Sequence, residues 1–295
     1  MTLRDLLDQA ARRLAEGGVE DARRTAEWIV EETTGADRVR LYASPGAPVP
    51  PGAAEQTARL VERRLGGEPV QYVLGHADFY GLRLAVSPAV LVPRPETEEV
   101  VEEALRRVRD VPAPWVLDVG TGSGAVALAV KHERPDAEVF ALDVSPKALA
   151  VAAANAERLG LAVTFVEGDA LRPDLTAAVP SAFALVVSNP PYVPESERAG
   201  LQREVREWEP AGALFVPDAD PLVFYRALAG HAGRLLAPGG WLVAETHADG
   251  GAAVAALWAE AGLAEAKTLP DLAGRDRIAV ARRPAPLADG ASGAG

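Results

Sequence analysis

The chain has 295 residues, 48% hydrophobic and 24% charged, which allows two domains or one large one with a sizeable core. Its net charge of −12 and the scatter of its arginine pairs (12–13, 23–24, 63–64, 106–107) along helical patterns argue against a phosphate-tracking nucleic-acid surface. With no cysteine there is no disulfide or thiolate, the four histidines are spaced unlike metal ligands, and no stretch reaches the length of a membrane span, so the expectation is a soluble cytoplasmic protein without metal.

In chain order, the N-terminus carries acids within its first turns and has no continuous apolar run, unlike a secretory signal. Leu3, Leu6, Leu7, Ala10 and Leu14 recur at helical spacing. Ala22, Ala26, Ile29 and Val30 repeat the pattern up to Gly35, and a third helix runs to Gly66-Gly67. Residues 1–70 therefore read as a small helical domain. The segment "FYGLRLAVSP" suggests a strand or hairpin within a linker at 71–95, and "LVPRPETEEVVEEALRRVR" starts a helix with acids in its first turn, where they suit the helix dipole.

From about 114 the pattern changes. "WVLDVG", "EVFALDVS", "VTFVEGDA", "FALVVSNP" and "GGWLVAET" are short apolar runs separated by helical stretches, which predicts an α/β domain over 96–283 with a doubly wound, mostly parallel sheet. "AEAKTLPD" and "RDRIAVARR" lie close enough to form an antiparallel C-terminal hairpin. The last residues, 284–295, read as a disordered tail.

Three features carry chemistry. "VLDVGTGSGAVALAV" places Gly120, Gly122 and Gly124 in a turn between strand and helix, where a ligand can approach the backbone and the helix N–H groups. Taken alone this turn also satisfies a dinucleotide pattern, so a nicotinamide enzyme competes. Asp118 before the turn suits a cationic ligand better than a pyrophosphate. Asp143 at the next strand end is placed to accept ribose hydroxyls, and Asp169 at the third to meet an adenine amino group. At the fourth strand end, Asn189 offers a side-chain oxygen and Pro190 a carbonyl, with Pro191 stiffening the turn. Two convergent acceptors hold both hydrogens of an –NH2 group, and Tyr192 offers a flat surface for a planar amide or base.

"NPPY" after a "DVGTGSG" turn resembles the amino-methyltransferases, whose substrates include adenine, guanine and glutamine. "PVQYVLG", "FYGLRLAVSPAVLVPRPETE", "EVREWEP" and "LAGRDRIAVARR" narrow the resemblance to the PrmC/HemK family, over about residues 3–283. That resemblance implies a Rossmann-like class I methyltransferase sheet behind a small N-terminal helical substrate-binding domain. It implies methyl transfer from S-adenosylmethionine, leaving S-adenosylhomocysteine, to the glutamine amide of the Gly-Gly-Gln motif in peptide-chain release factors, by a monomer needing neither nucleic acid nor membrane. Gly120, Thr121, Gly122, Ser123, Gly124, Asp143, Asp169, Ala170 and Asn189 would bind the cofactor. Asn189, Pro190, Pro191 and Tyr192 would hold the glutamine, with Asn189 and Pro190 catalytic. Arg94 and Glu96 fall in the "PRPETE" segment that borders the family's active site, a helix start being their alternative role. "ALFVPDADPLVFY" and "ETHADGGAAV" depart from the family pattern and read as peripheral to the chemistry. A nucleic-acid amino-methyltransferase and a non-catalytic binding module are the competing functions.

Overall fold

The helical spacing at the N-terminus forms α1 (Leu3–Glu16), started by a capping box in which Thr2 and Asp5 satisfy each other's backbone N–H groups. It is followed by α2 (Ala22–Thr34), α3 (Arg38–Ala43), α4 (Ala53–Leu65) and α5 (Val70–Leu74). Leu6, Leu7 and Leu14 of α1, Ile29 and Val30 of α2, Leu41 of α3 and Val61 of α4 close one apolar core. In this computed structural model, which describes residues 1–285 except the side chains of Thr176 and Ala178, the chain divides into two compact units. The first is Met1–His76 with Leu201–Trp208; the second is Ala77–Gly200 with the chain from Glu209 onward. Residues 201–208 join the first unit through an Arg64–Glu204 ion pair and through Arg203 and Trp208, which crowd Gly67. All but the first two residues of the expected disordered tail lie outside the described residues.

From Ala77 onward the second unit holds a two-stranded sheet, β1 (His76–Phe79, its first residue counted with the first unit) and β2 (Leu82–Ala85), joined at Tyr80-Gly81 with φ of 48° and 76°. Positive φ at both positions is the backbone of a tight hairpin turn. Next come α6 (Pro95–Arg107), β3 (Trp115–Val119), α7 (Ala125–Glu133), β4 (Glu138–Asp143), α8 (Pro146–Leu159), β5 (Thr164–Glu167), α9 (Leu175–Ala178) and β6 (Phe183–Ser188). A small parallel pair, β7 (Val193–Pro194) and β8 (Phe215–Val216), brackets α10 (Arg203–Trp208), which belongs to the first unit. After these come α11 (Val223–Leu235), β9 (Leu236–Glu245), α12 (Gly251–Glu260), β10 (Ala264–Pro270) and β11 (Asp276–Arg282).

The main sheet has the order β10-β11-β9-β6-β3-β4-β5. β9, β6, β3, β4 and β5 are parallel, and β11 and β10 form the expected antiparallel hairpin at one edge. Alternating strand residues serve two cores. Val116, Val187, Val243 and Val280 pack with α6, α7 and the β1–β2 hairpin, while Leu117, Val186, Leu242 and Ala279 pack with α11 and α12. This sheet, covered on both faces, has its topological switch between β3 and β6: the chain steps outward through β4 and β5, then returns to the other side of β3. Ligands of such sheets bind outside the carboxyl ends of the strands at that point.

Candidate active site

The register of the parallel strands explains which residues meet at that edge. Val119 pairs with Leu142 on one side and Ser188 on the other, Asp143 with Glu167, and Ser188 with Ala244. Gly120, Asp143, Asp169, Asn189 and Glu245 therefore emerge along one edge. The first four line a cavity of about 520 Å³, within the range of small-molecule sites. Its lining includes Gly120, Thr121, Gly122, Ser123, Asp118, Asp143, Asp169, Ala170, Asn189, Pro190 and Pro191, together with Arg94 and Thr97 from the start of α6.

The glycine turn is tied to its acids. Gly120, Gly122 and Gly124 all have positive φ (76°, 55° and 83°), a conformation that strains any side chain. Asp143 accepts the Gly122 N–H through Oδ2 and the Ser145 N–H through Oδ1, both at 2.9 Å. Asp118, 1% exposed, accepts from the Thr121 hydroxyl (2.7 Å) and the Ala127 N–H (3.1 Å), both on Oδ2. Burial pushes its carboxyl up to about 7 against those two hydrogen bonds, and the neighbouring Asp143 charge adds to the rise. Asp169 accepts the Leu171 N–H at 2.9 Å. His231 of α11 bonds the Ala170 carbonyl at 3.1 Å and steadies the turn after β5. Gly124 is not on the cavity wall; it caps α7, where a Cβ would lie 3.0 Å from Leu128 and 3.2 Å from Ala152.

At the β6 end, Asn189 donates from Nδ2 to the Thr97 hydroxyl (3.0 Å), and Thr97 donates to Glu245 Oε2 (2.6 Å). The Tyr192 hydroxyl donates to Glu245 Oε1 at 3.1 Å. Tyr192 thus turns from the cavity, is not among its lining residues, and sets its ring 6.2 Å from that of His247. Arg94 lines the cavity and pairs with buried Glu209 (2.6 Å), which also accepts the Val92 N–H. Glu96 is exposed, and α6 starts at Pro95 with no side-chain cap from Arg94.

Two segments expected to be peripheral reach this edge. Ala213 and Phe224, from "ALFVPDADPLVFY", line the cavity, and "ETHADGG" supplies Glu245 and His247. Thr97 and Glu245 escaped the sequence reading, although one signal was present. "WLVAET" ends a fifth parallel strand in an acid, as the first two strands end in Asp118 and Asp143. Thr97 gave no such signal, because only the packing of α6 brings it to the sheet edge.

Residues 116–212 match the family model described as Methyltransferase domain, and residues 5–75 the one described as PrmC N-terminal domain. A methyltransferase from Pyrococcus furiosus shares the fold, with a TM-score of 0.51 at 18% identity over 69% of this chain and 90% of that one. Sheet order, glycine turn and edge cavity define a class I methyltransferase. The release factor glutamine methyltransferase of Geobacter sulfurreducens is 42% identical over 94% of this chain and 95% of its own length. That of Moorella thermoacetica is 43% identical over 96% and 99%. The chain belongs to the release factor glutamine methyltransferase family.

Proposed function

We propose that the protein methylates the side-chain amide nitrogen of the glutamine in the Gly-Gly-Gln motif of peptide-chain release factors, with S-adenosylmethionine as methyl donor. The observation that carries this reading is that Asn189, Pro190 and Pro191 line the same cavity as the glycine turn and its acids, in a chain of this family. The residues present fit the cofactor. Asp118 is a buried carboxylate on the cavity wall, in an environment that a cationic ligand relieves. Asp143 and Asp169 keep lone pairs for hydroxyl and amino donors after their amide contacts, because an ionised carboxylate has about four acceptor sites. Gly120, Thr121, Gly122, Ser123 and Ala170 supply the close wall, and Gly124 supports the turn from behind.

S-adenosylmethionine, when bound, supplies a methyl group on a positively charged sulfur. The protein's task is to orient a poor nucleophile. An amide nitrogen has its lone pair spread into the carbonyl, so alignment and exclusion of water matter more than a strong base. The Asn189 side-chain oxygen and the Pro190 carbonyl accept the two N–H hydrogens and hold the nitrogen's face toward the cofactor side. As the new N–C bond formed, the methyl–sulfur bond would break with its electron pair staying on sulfur in S-adenosylhomocysteine, and one N–H proton, made acidic, would leave along these acceptors. The reading includes a release factor as protein partner and a monomeric, cytoplasmic enzyme without direct nucleic-acid or membrane contact.

The test is incubation with labelled S-adenosylmethionine and, separately, release factor, DNA and ribosomal RNA. Label should appear on the release-factor glutamine. Label on a nucleic acid and none on the factor would sink the reading. Light scattering should give the mass of one chain.

A further inference from the structure

Asn189 serves the proposed reaction only if its amide faces the right way. Its oxygen accepts and its nitrogen donates, and the two ends have nearly the same shape. A flipped amide would point donors at the substrate's own donors. The structure holds this choice through side chains distant in sequence. Glu245, 1% exposed on β9, receives two hydroxyl donors, Thr97 on Oε2 and Tyr192 on Oε1. A hydroxyl has a single hydrogen, and Thr97 spends its own on Glu245. Toward Asn189 it presents a lone pair, which accepts the Nδ2 hydrogen at 3.0 Å. The oxygen end of the amide is then the one left for the cavity.

We propose that Thr97 and Glu245 are positioning residues, a relay in which an acceptor-only carboxylate fixes the Thr97 hydroxyl and, through it, which end of the Asn189 amide meets the substrate. The proposal rests on the glutamine-methylation reading for its catalytic consequence and on the hydrogen-bond chain alone for its structure. The relay also responds to pH. A protonated Glu245 has a hydrogen to give Thr97, which frees the Thr97 hydrogen for the Asn189 oxygen and reverses the chain. Burial raises the Glu245 carboxyl, opposed by the hydrogen bonds from Thr97 and Tyr192 and the charge of Arg277, and aided by Glu96. Tyr225 also faces it, its hydroxyl donating to the Glu245 backbone carbonyl at 2.9 Å.

The chain contains two asparagines, Asn155 and Asn189, so protein labelled with 15N-asparagine shows two side-chain amide pairs. Asn155 is held by the carbonyls of Ala85 and Ser123 (both 3.0 Å) and serves as the internal reference. Thr97→Val keeps the shape and removes the hydroxyl; Thr97→Ser restores it. In Thr97→Val the Asn189 amide protons should exchange at least about tenfold faster with Asn155 unchanged, as for loss of one hydrogen bond of ordinary strength. kcat on release factor should fall about 10–100-fold, with KM moving less than about threefold and Thr97→Ser recovering most of the loss.

At saturating cofactor the wild type should lose kcat as pH falls, and Thr97→Val should lack that limb. The proposal is overturned if Asn189 exchange is unchanged in Thr97→Val, if kcat stays near wild type, if Thr97→Ser is as impaired as Thr97→Val, or if the acid limb survives the valine. Should the wild type fail to methylate release factor, the function reading falls, while the amide exchange still decides the relay.

Discussion

The two ends of the cavity are built by different means. Around Asp118, Asp143 and Asp169 the contacts are local: a carboxylate accepts backbone N–H groups or a hydroxyl from within its own turn or from the neighbouring glycine turn. Around Asn189 they are remote. Thr97 and Glu245 lie 148 positions apart, and Asn189 is 92 from Thr97. The first arrangement needs only neighbouring strand–turn–helix units of the parallel sheet packed side by side. The second exists only when α6, β6 and β9 are all docked. Cofactor affinity should therefore answer to the glycine turn and its acids, and turnover to the side-chain chain at β6.

Asn189→Ala is the sharpest way to separate the ends. It should lower kcat by about 10²–10³-fold, the scale for one preorganised hydrogen-bonding group at a reacting centre. Cofactor affinity measured by calorimetry should change far less. Equal losses in both would erase the distinction. Asp143→Ala attacks the other end. It unpairs the Gly122 and Ser145 amides and removes the acceptor for the ribose, so the Kd for S-adenosylmethionine should rise about 10–100-fold, in line with hydrogen bonds to a charged group.

Asp118 gives the cofactor end a pH signature. Its carboxyl is pushed from an ordinary 3.8 up to about 7, so in the folded protein it keeps its proton where the unfolded chain has lost it. This group's contribution to apo-protein stability consequently declines as pH rises through that window. A cationic ligand prefers the carboxylate, so binding releases a proton below pH 7. Affinity for S-adenosylmethionine should rise with pH, by up to about tenfold per unit, and level off above the raised value. Calorimetry in buffers of different ionisation heat reads the proton, and Asp118→Asn should abolish the dependence. Tyr192→Phe is the mildest probe. It removes one donor to Glu245 and leaves Thr97 in place, so kcat should drop by about two- to tenfold. A loss as deep as that of Asn189→Ala would place Tyr192 in the chemistry itself.

Much of this architecture was readable in advance because its causes are short-range. Apolar runs followed by polar or Gly residues predicted the five parallel strands, and the close spacing of β10 and β11 predicted their antiparallel pairing. Tyr192 shows where that reasoning stops. Its place after two prolines suggested a surface for the substrate, yet the acceptor it finds is Glu245, 53 positions away. "ETHADGG" likewise looked remote from the chemistry, because nothing in a linear reading says that β9 lies beside β6.

The glycine turn, the acids at the strand ends and the stiff Asn-Pro-Pro edge follow from the order of the residues. Each depends on backbone preferences and mostly on side chains reaching groups a few residues away, the Asp143 bond to Gly122 being the longer exception. The chain of Thr97, Glu245 and Tyr192 behind Asn189 comes from packing between distant elements. Strand order and helix docking bring those groups within 3.1 Å, and a hydrogen bond across such separations leaves no periodic mark in the sequence.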